Sequence, residues 1–144
     1  HWNPLVFRND GRPGTLHFSL LADGTPNVAI NTTPRSWTHR KARASVCAGQ
    51  WHHVALVCDA RQNGKVCFYV DGKPAGASRL GLNLPLDLDA LRIGAWNNWQ
   101  HSPANNFHGE LADVRIFSGM LTEAAIARVA AEPSPGCRTD ESRK

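Results

Sequence analysis

Tyrosine and methionine occur once each in this 144-residue chain, and long apolar runs do not occur at all. No stretch approaches the ~18 apolar residues needed to cross a membrane as a helix, so no membrane span is expected. The opening His1-Trp2-Asn3-Pro4 has neither the basic start nor the apolar centre of a secretory leader. A chain that starts on histidine is expected to be a processed product or a fragment of a larger polypeptide. C-x-x-C is absent, which argues against a zinc ribbon or a thioredoxin-type site. G-x-S-x-G is absent, and with it the nucleophile elbow of a serine hydrolase. Four cysteines, Cys47, Cys58, Cys67 and Cys137, are too sparse for a disulfide scaffold and allow three full pairings. Acidic residues are in the minority, 12 against 16 Lys+Arg, for a net charge of +4. That balance suits acidic partners without demanding nucleic acid.

What is present is an ordinary globular mixture, 42% hydrophobic and 19% charged, which excludes a disordered chain. Gly and Pro punctuate it about every ten residues, the spacing of an all-β sandwich. The expected strands are Leu5–Arg8, Thr15–Leu21, Asn27–Asn31, His52–Asp59, Lys65–Val70, Pro74–Arg79, Leu91–Ala95 and Gly109–Phe117. Asn63-Gly64 and Asp71-Gly72 supply residues that tolerate the positive φ of hairpin turns, and Ala22-Asp23-Gly24-Thr25 reads as a third turn. The strand at His52–Asp59 is apolar on both faces, which predicts a central position rather than a solvated edge. A four-residue loop Arg61–Gly64 would set Cys58 opposite Cys67, as two small core residues or as a cross-strand disulfide. One short helix is expected at Glu123–Ala131, capped by Thr122 and stopped by Pro133.

From Gln50 to Val129 the chain carries Q-W-H-H-V-A-L-V-C-D, K-V-C-F-Y-V-D-G-K, L-R-I-G, F-H-G-E-L-A-D-V-R-I-F and L-T-E-A-A-I in that order. This series resembles the laminin-G-like, concanavalin A-like jelly roll, in the branch found in bacterial multidomain surface proteins. The resemblance implies an antiparallel two-sheet jelly-roll sandwich over residues 1–131, followed by a flexible polar tail, 132–144. It also implies that the family's first strands are missing, with Trp2 matching the tryptophan that ends the second. The role it implies is a non-catalytic recognition module of a larger extracytoplasmic or surface protein, probing carbohydrate or a protein surface.

Catalysis in this fold class would need paired carboxylates across a cleft. The glucanase strand motif E-x-D-x-x-E is absent, and Asp87-Leu88-Asp89 is the nearest substitute. His52 and His53 are adjacent on a strand and face opposite sides, so they cannot share a metal. Asp113, in G-E-L-A-D-V-R-I-F, matches the family's G-x-I-D-x-V-R-I-Y strand, and the resemblance makes it a candidate ligand for calcium, a cation that takes six or more oxygens.

Two segments carry binding chemistry. The loop from Ala95 to Asn106 holds Trp96, Asn97, Asn98, Trp99, His101 and Asn106. Aromatic faces cover the C–H face of a pyranose and amides pair with its hydroxyls. The run Arg35 to Arg43 holds Arg35, Trp37, Arg40, Lys41 and Arg43 with no acid, a patch suited to sulfates, uronates or phosphates, or else a solvated loop between strands. Carbohydrate, with acidic polysaccharide favoured, is the expected ligand; a protein–protein or adhesion role is the alternative, and a glycosidase the third.

Overall fold

The computed structural model describes residues 2–133 apart from 9, 35, 60, 82 and 97–105; Arg35, Asn97, Asn98, Trp99, His101 and Cys137 therefore lie outside the described residues. Among the described residues eight strands precede one helix: β1 Asn3–Phe7, β2 Leu16–Leu20, β3 Pro26–Thr33, β4 Ser36–Lys41, β5 Val54–Asp59, β6 Lys65–Val70, β7 Lys73–Arg79, β8 Arg92–Ile93 and α1 Glu123–Ala131. They build two antiparallel sheets, one ordered β4-β3-β2-β1-β8 and the other β5-β6-β7. This is the jelly-roll sandwich expected.

Between the sheets lies the core. Leu5, Leu16, Phe18, Val28 and Ile30 of the large sheet meet Val66 and Phe68 of the small one. Leu16, Phe18 and Leu20 alternate with His17 and Ser19 along β2, so the pleat sends one set inward and the other to the outer face. Each buried large side chain contributes about 1.5–3 kcal/mol of transfer free energy.

The turns form as their residues require. β6 and β7 are joined by Asp71-Gly72 alone, with φ of 50° and 72°, and Asn63-Gly64 adopts 55° and 62°. At Asp71-Gly72, positive φ at both central residues is the two-residue turn geometry whose twist matches paired strands. In the turn after β2, the Thr25 amide donates to Asp23 Oδ1 at 3.0 Å. Gly24 there has φ +78°, and a Cβ on it would stand 2.2 Å from the Val46 carbonyl oxygen. Only glycine permits that approach. The helix also starts where expected, the Thr122 hydroxyl accepting the Ala125 amide.

Four expectations need correction. Ser36–Lys41 is a strand, not a loop: it completes a ladder with β3 through Asn27↔Lys41 to Thr33↔Ser36, the hydrogen-bond gain outweighing poor strand propensity. Gly109–Phe117 forms no strand, because its backbone meets no neighbouring ladder and Asp113 turns to φ 54°. Among the described residues β5 is an edge strand, half-buried at every residue, and β6 takes the centre. Finally, Asp59 pairs with Lys65, so Cys67 opposes Val57 and Cys58 opposes Val66. The loop is one residue longer than expected, and a one-residue slip sends the two sulfurs to opposite faces. Cys47, Cys58 and Cys67 are free thiols; burial pushes the Cys58 thiol up to about 11.

Candidate functional site

Alternation places a second set of side chains on the outer face of the large sheet. Register rows run Phe7–His17–Ala29–His39 and Pro4–Ser19–Asn27–Lys41, and Asn31 pairs with Trp37. Ala29, between two histidines, leaves room for large rings. His17 stacks on Phe7 at 3.6 Å between centroids, and lies 4.0 Å from Trp37 and 5.4 Å from Trp96. Trp96 also tilts on Phe7 at 4.2 Å. Trp2 meets His39 edge-on at 5.5 Å, although β2 and β3 separate their strands. Among the described residues, Trp2, Trp37 and Trp96 thus converge on one face.

Beneath and beside these rings is a polar row that is buried. Ser19 and Asn31 are fully enclosed, and Asn27 and His17 nearly so. Ser19 Oγ, Asn27 Nδ2, both amide atoms of Asn31 and His17 Nε2 have no hydrogen-bond partner within the described protein. Each such group costs about 1–3 kcal/mol unless something meets it, so their grouping on one face demands an account. The His17 imidazole is neutral: burial, reinforced by the nearby His39, drives its pKa down to about 3.

The two sequence candidates meet here in part. Trp96 and Trp37, one from each, flank the same imidazole. Asn106 pairs with Ala95 and closes the base of the loop that Trp96 opens. The basic run is divided by the pleat. Lys41 sits on the outer face opposite Asn27, whereas Arg40, opposite the core residue Val28, donates to the Arg79 carbonyl at 2.9 Å. Arg43 lies beyond β4 and donates its amide to the Ala75 carbonyl. Phe7, His17, Ser19, Asn27, Asn31 and His39 were not singled out from the sequence. For His17, Ser19, Asn27 and Asn31 the signal was there, as polar residues at alternate positions in otherwise apolar strands.

Asp113 has other company. Its two carboxylate oxygens receive Nε and Nη2 of Arg115, each at 2.7 Å, and Arg115 also reaches Glu132 Oε2 at 2.6 Å. Calcium needs six to eight oxygens. Among the described residues no three His, Cys, Asp or Glu side chains cluster, and both oxygens of Asp113 are engaged by Arg115. Asp87 is likewise engaged, clamping the buried Arg8 together with Asp10. His52 Nδ1 bonds Asp71 Oδ2 at 2.9 Å, and the His53 amide donates to the other oxygen. Burial opposes the charge on Asp71, but these hydrogen bonds outweigh it and hold the carboxyl low.

Residues 1–127 match the family described as the concanavalin A-like lectin/glucanases superfamily. Among solved structures, a candidate carbohydrate binding protein from Bacteroides ovatus is similar at 20% identity and TM-score 0.67, over 88% of this chain and 36% of that one. A SAP-like pentraxin from Limulus polyphemus is similar at 18% identity and TM-score 0.64, over 91% of this chain and 64% of that one. An S-layer domain-containing protein from Clostridium thermocellum follows at 21% and 0.50, over 90% and 63%. The chain spans less than two thirds of each. Among curated proteins no sequence matches this chain.

Proposed function

This chain belongs to the concanavalin A-like lectin/glucanases superfamily, and from that premise we propose that it is a non-catalytic module that binds carbohydrate on the outer face of its five-stranded sheet. The observation that carries the reading is the meeting of Trp37 and Trp96, both half-buried, over His17. The uncovered part of an indole takes the C–H face of a sugar ring, and the exposed His39 and Lys41 at the rim meet its hydroxyls, while Ser19, Asn27 and Asn31 lie enclosed beneath. Lys41, on the same face, supports a preference for acidic sugars, with His39 beside it. The B. ovatus structure, described as a candidate carbohydrate binding protein, agrees with this reading. So does the engagement of Asp87 by Arg8, which leaves the Asp87–Asp89 pair poorly disposed for catalysis. No helix among the described residues is long and apolar enough to cross a membrane; the S-layer and carbohydrate-binding relatives support an extracytoplasmic setting.

A glycan array followed by calorimetry tests it. Trp96→Ala and Trp37→Ala should each weaken the best glycan at least tenfold while thermal melts stay cooperative, and a chelator should change nothing. A blank array from folded protein would refute the reading and favour a protein partner on the same aromatic face.

A further inference from the structure

Among the described residues β4 ends the large sheet and β7 ends the small one. The two edges meet along one side of the sandwich. The Arg43 amide donates to the Ala75 carbonyl at 2.6 Å, and Arg40 Nε donates to the Arg79 carbonyl at 2.9 Å. The Arg43 side chain lies against β7 as well, its Cγ 3.3 Å from where a Cβ on Gly76 would stand. Further cations join this seam. Arg79 stands directly opposite Lys65, and its Nη1 donates to the carbonyl of Gln62 at 3.0 Å, beside Arg61.

The seam is short of counter-charge. Arg8, Arg12 and Arg115 each pair with carboxylates, whereas among the described residues Arg40, Arg43, Arg61, Lys65 and Arg79 form no ion pair. Asp59 faces Lys65 across the ladder, but its Oδ1 accepts the Arg61 amide at 2.9 Å. Lys65 and Arg79 carry like charges on directly opposite positions, which repel. The mode of anchoring matters more. A carboxylate would fix a guanidinium and cancel its charge; a carbonyl fixes it and leaves the charge standing. Arg40 is held by two carbonyls, those of Arg79 and His39, and Arg79 by that of Gln62. Within the described protein, Nη2 of Arg40 and both Nε and Nη2 of Arg79 keep their donors free.

We propose that this seam is an anion-binding site, which grips an acidic polysaccharide by its sulfate or carboxylate groups. Four of the five cations are arginines, whose forks take two oxygens of one oxyanion at once. Arginines already held in place lose little freedom on binding. The row follows a sheet edge rather than entering a pocket, which suits a polymer over a small anion. No aromatic ring belongs to this set of residues, so the stacking platform of a single-stranded nucleic acid site is missing. None of the five belongs to the aromatic face, and the fate of that reading does not decide this one.

The probes are dextran sulfate and polygalacturonate, with neutral dextran and a DNA duplex as comparators, titrated into the 144-residue chain by calorimetry at low and moderate salt. Arg43→Gln with Arg61→Gln, whose side chains make no hydrogen bond within the described protein, should weaken the better acidic polymer at least tenfold. The same pair should flatten its salt dependence and leave the thermal melt unchanged. Arg40→Gln with Arg79→Gln should weaken it at least as much. Arg92→Gln with Arg128→Gln removes the same charge from exposed positions on β8 and α1 and should cost less than twofold. The proposal is overturned if neither acidic polymer binds more tightly than dextran, or if the DNA duplex binds as tightly, charge for charge, as the better one. It is also overturned if the Arg92 and Arg128 pair costs as much as the seam pair, which would leave net charge alone as the cause.

Discussion

Lowering the pH from 7 to 5 should cost this domain about 2 kcal/mol through one imidazole. His17 is 6% exposed, and its folded pKa is about 3, against ~6.5 in an unfolded chain. Above pH 6.5 neither state binds the proton and the residue is silent. Below it the unfolded state takes up a proton that the folded state refuses, so stability falls with pH at about 1.4 kcal/mol per unit until the folded pKa is reached. Over the one and a half units from 6.5 to 5 that amounts to about 2 kcal/mol, or roughly 6–8 °C in Tm for a domain of this size. His53, also held neutral by burial with Asp71 opposing, acts in the same direction, so the wild-type curve alone does not isolate His17. His17→Phe does: it keeps a ring against Phe7, Trp37 and Trp96 and removes the titration. Urea melts of both proteins at pH 7, 6 and 5 give the difference. The variant should be flatter by about 2 kcal/mol over this range. Parallel curves, or an NMR titration of His17 near 6.5, would refute the claim that the aromatic layer excludes water from it.

Gly24→Ala forces a Cβ to within 2.2 Å of the Val46 carbonyl oxygen at φ +78°. Backbone must move to admit it, and a loss of about 3 kcal/mol or more is expected in denaturant melts; Gly11→Ala, which has open space but a similar φ, should cost only about 1–2 kcal/mol. Thr122→Ala removes the hydroxyl that caps α1 and should cost about 1 kcal/mol, recovered in large part by Thr122→Ser or Thr122→Asp.

Legibility in the sequence followed locality. The hairpins at Asn63-Gly64 and Asp71-Gly72 and the helix with its Thr122 cap were readable because a few adjacent residues determine each. β4 was not, since Ser36-Trp37-Thr38-His39-Arg40-Lys41 owes its strand form to β3, a partner the pattern of charges conceals. The edge position of β5 was hidden for the opposite reason. Its double-faced apolarity describes a strand that wants two neighbours, while the pairing within these residues provides one. The Cys58–Cys67 register turned on a single loop residue. At the candidate site, Trp37 and Trp96 were visible as unusual residues, but their meeting over His17 joins segments nearly sixty positions apart. The polar row of Ser19, Asn27 and Asn31 could have been found from its period-two spacing. What made it notable, burial without partners, exists only in three dimensions.

The strand order also dictates a sequence of events. β1 to β4 form a meander of neighbours, as do β5 to β7, and each closes through short loops. β8 joins β1 only after the whole of the second meander has been laid down, and the Arg8–Asp87 clamp beside it spans 79 positions. Loop-closure entropy rises with that separation, and chains rich in such distant contacts fold slowly. The two meanders can thus take shape separately while β8 closes the edge last. Truncating Ile93 or Asp87 should then speed unfolding more than it slows refolding, which the two arms of a denaturant chevron would show.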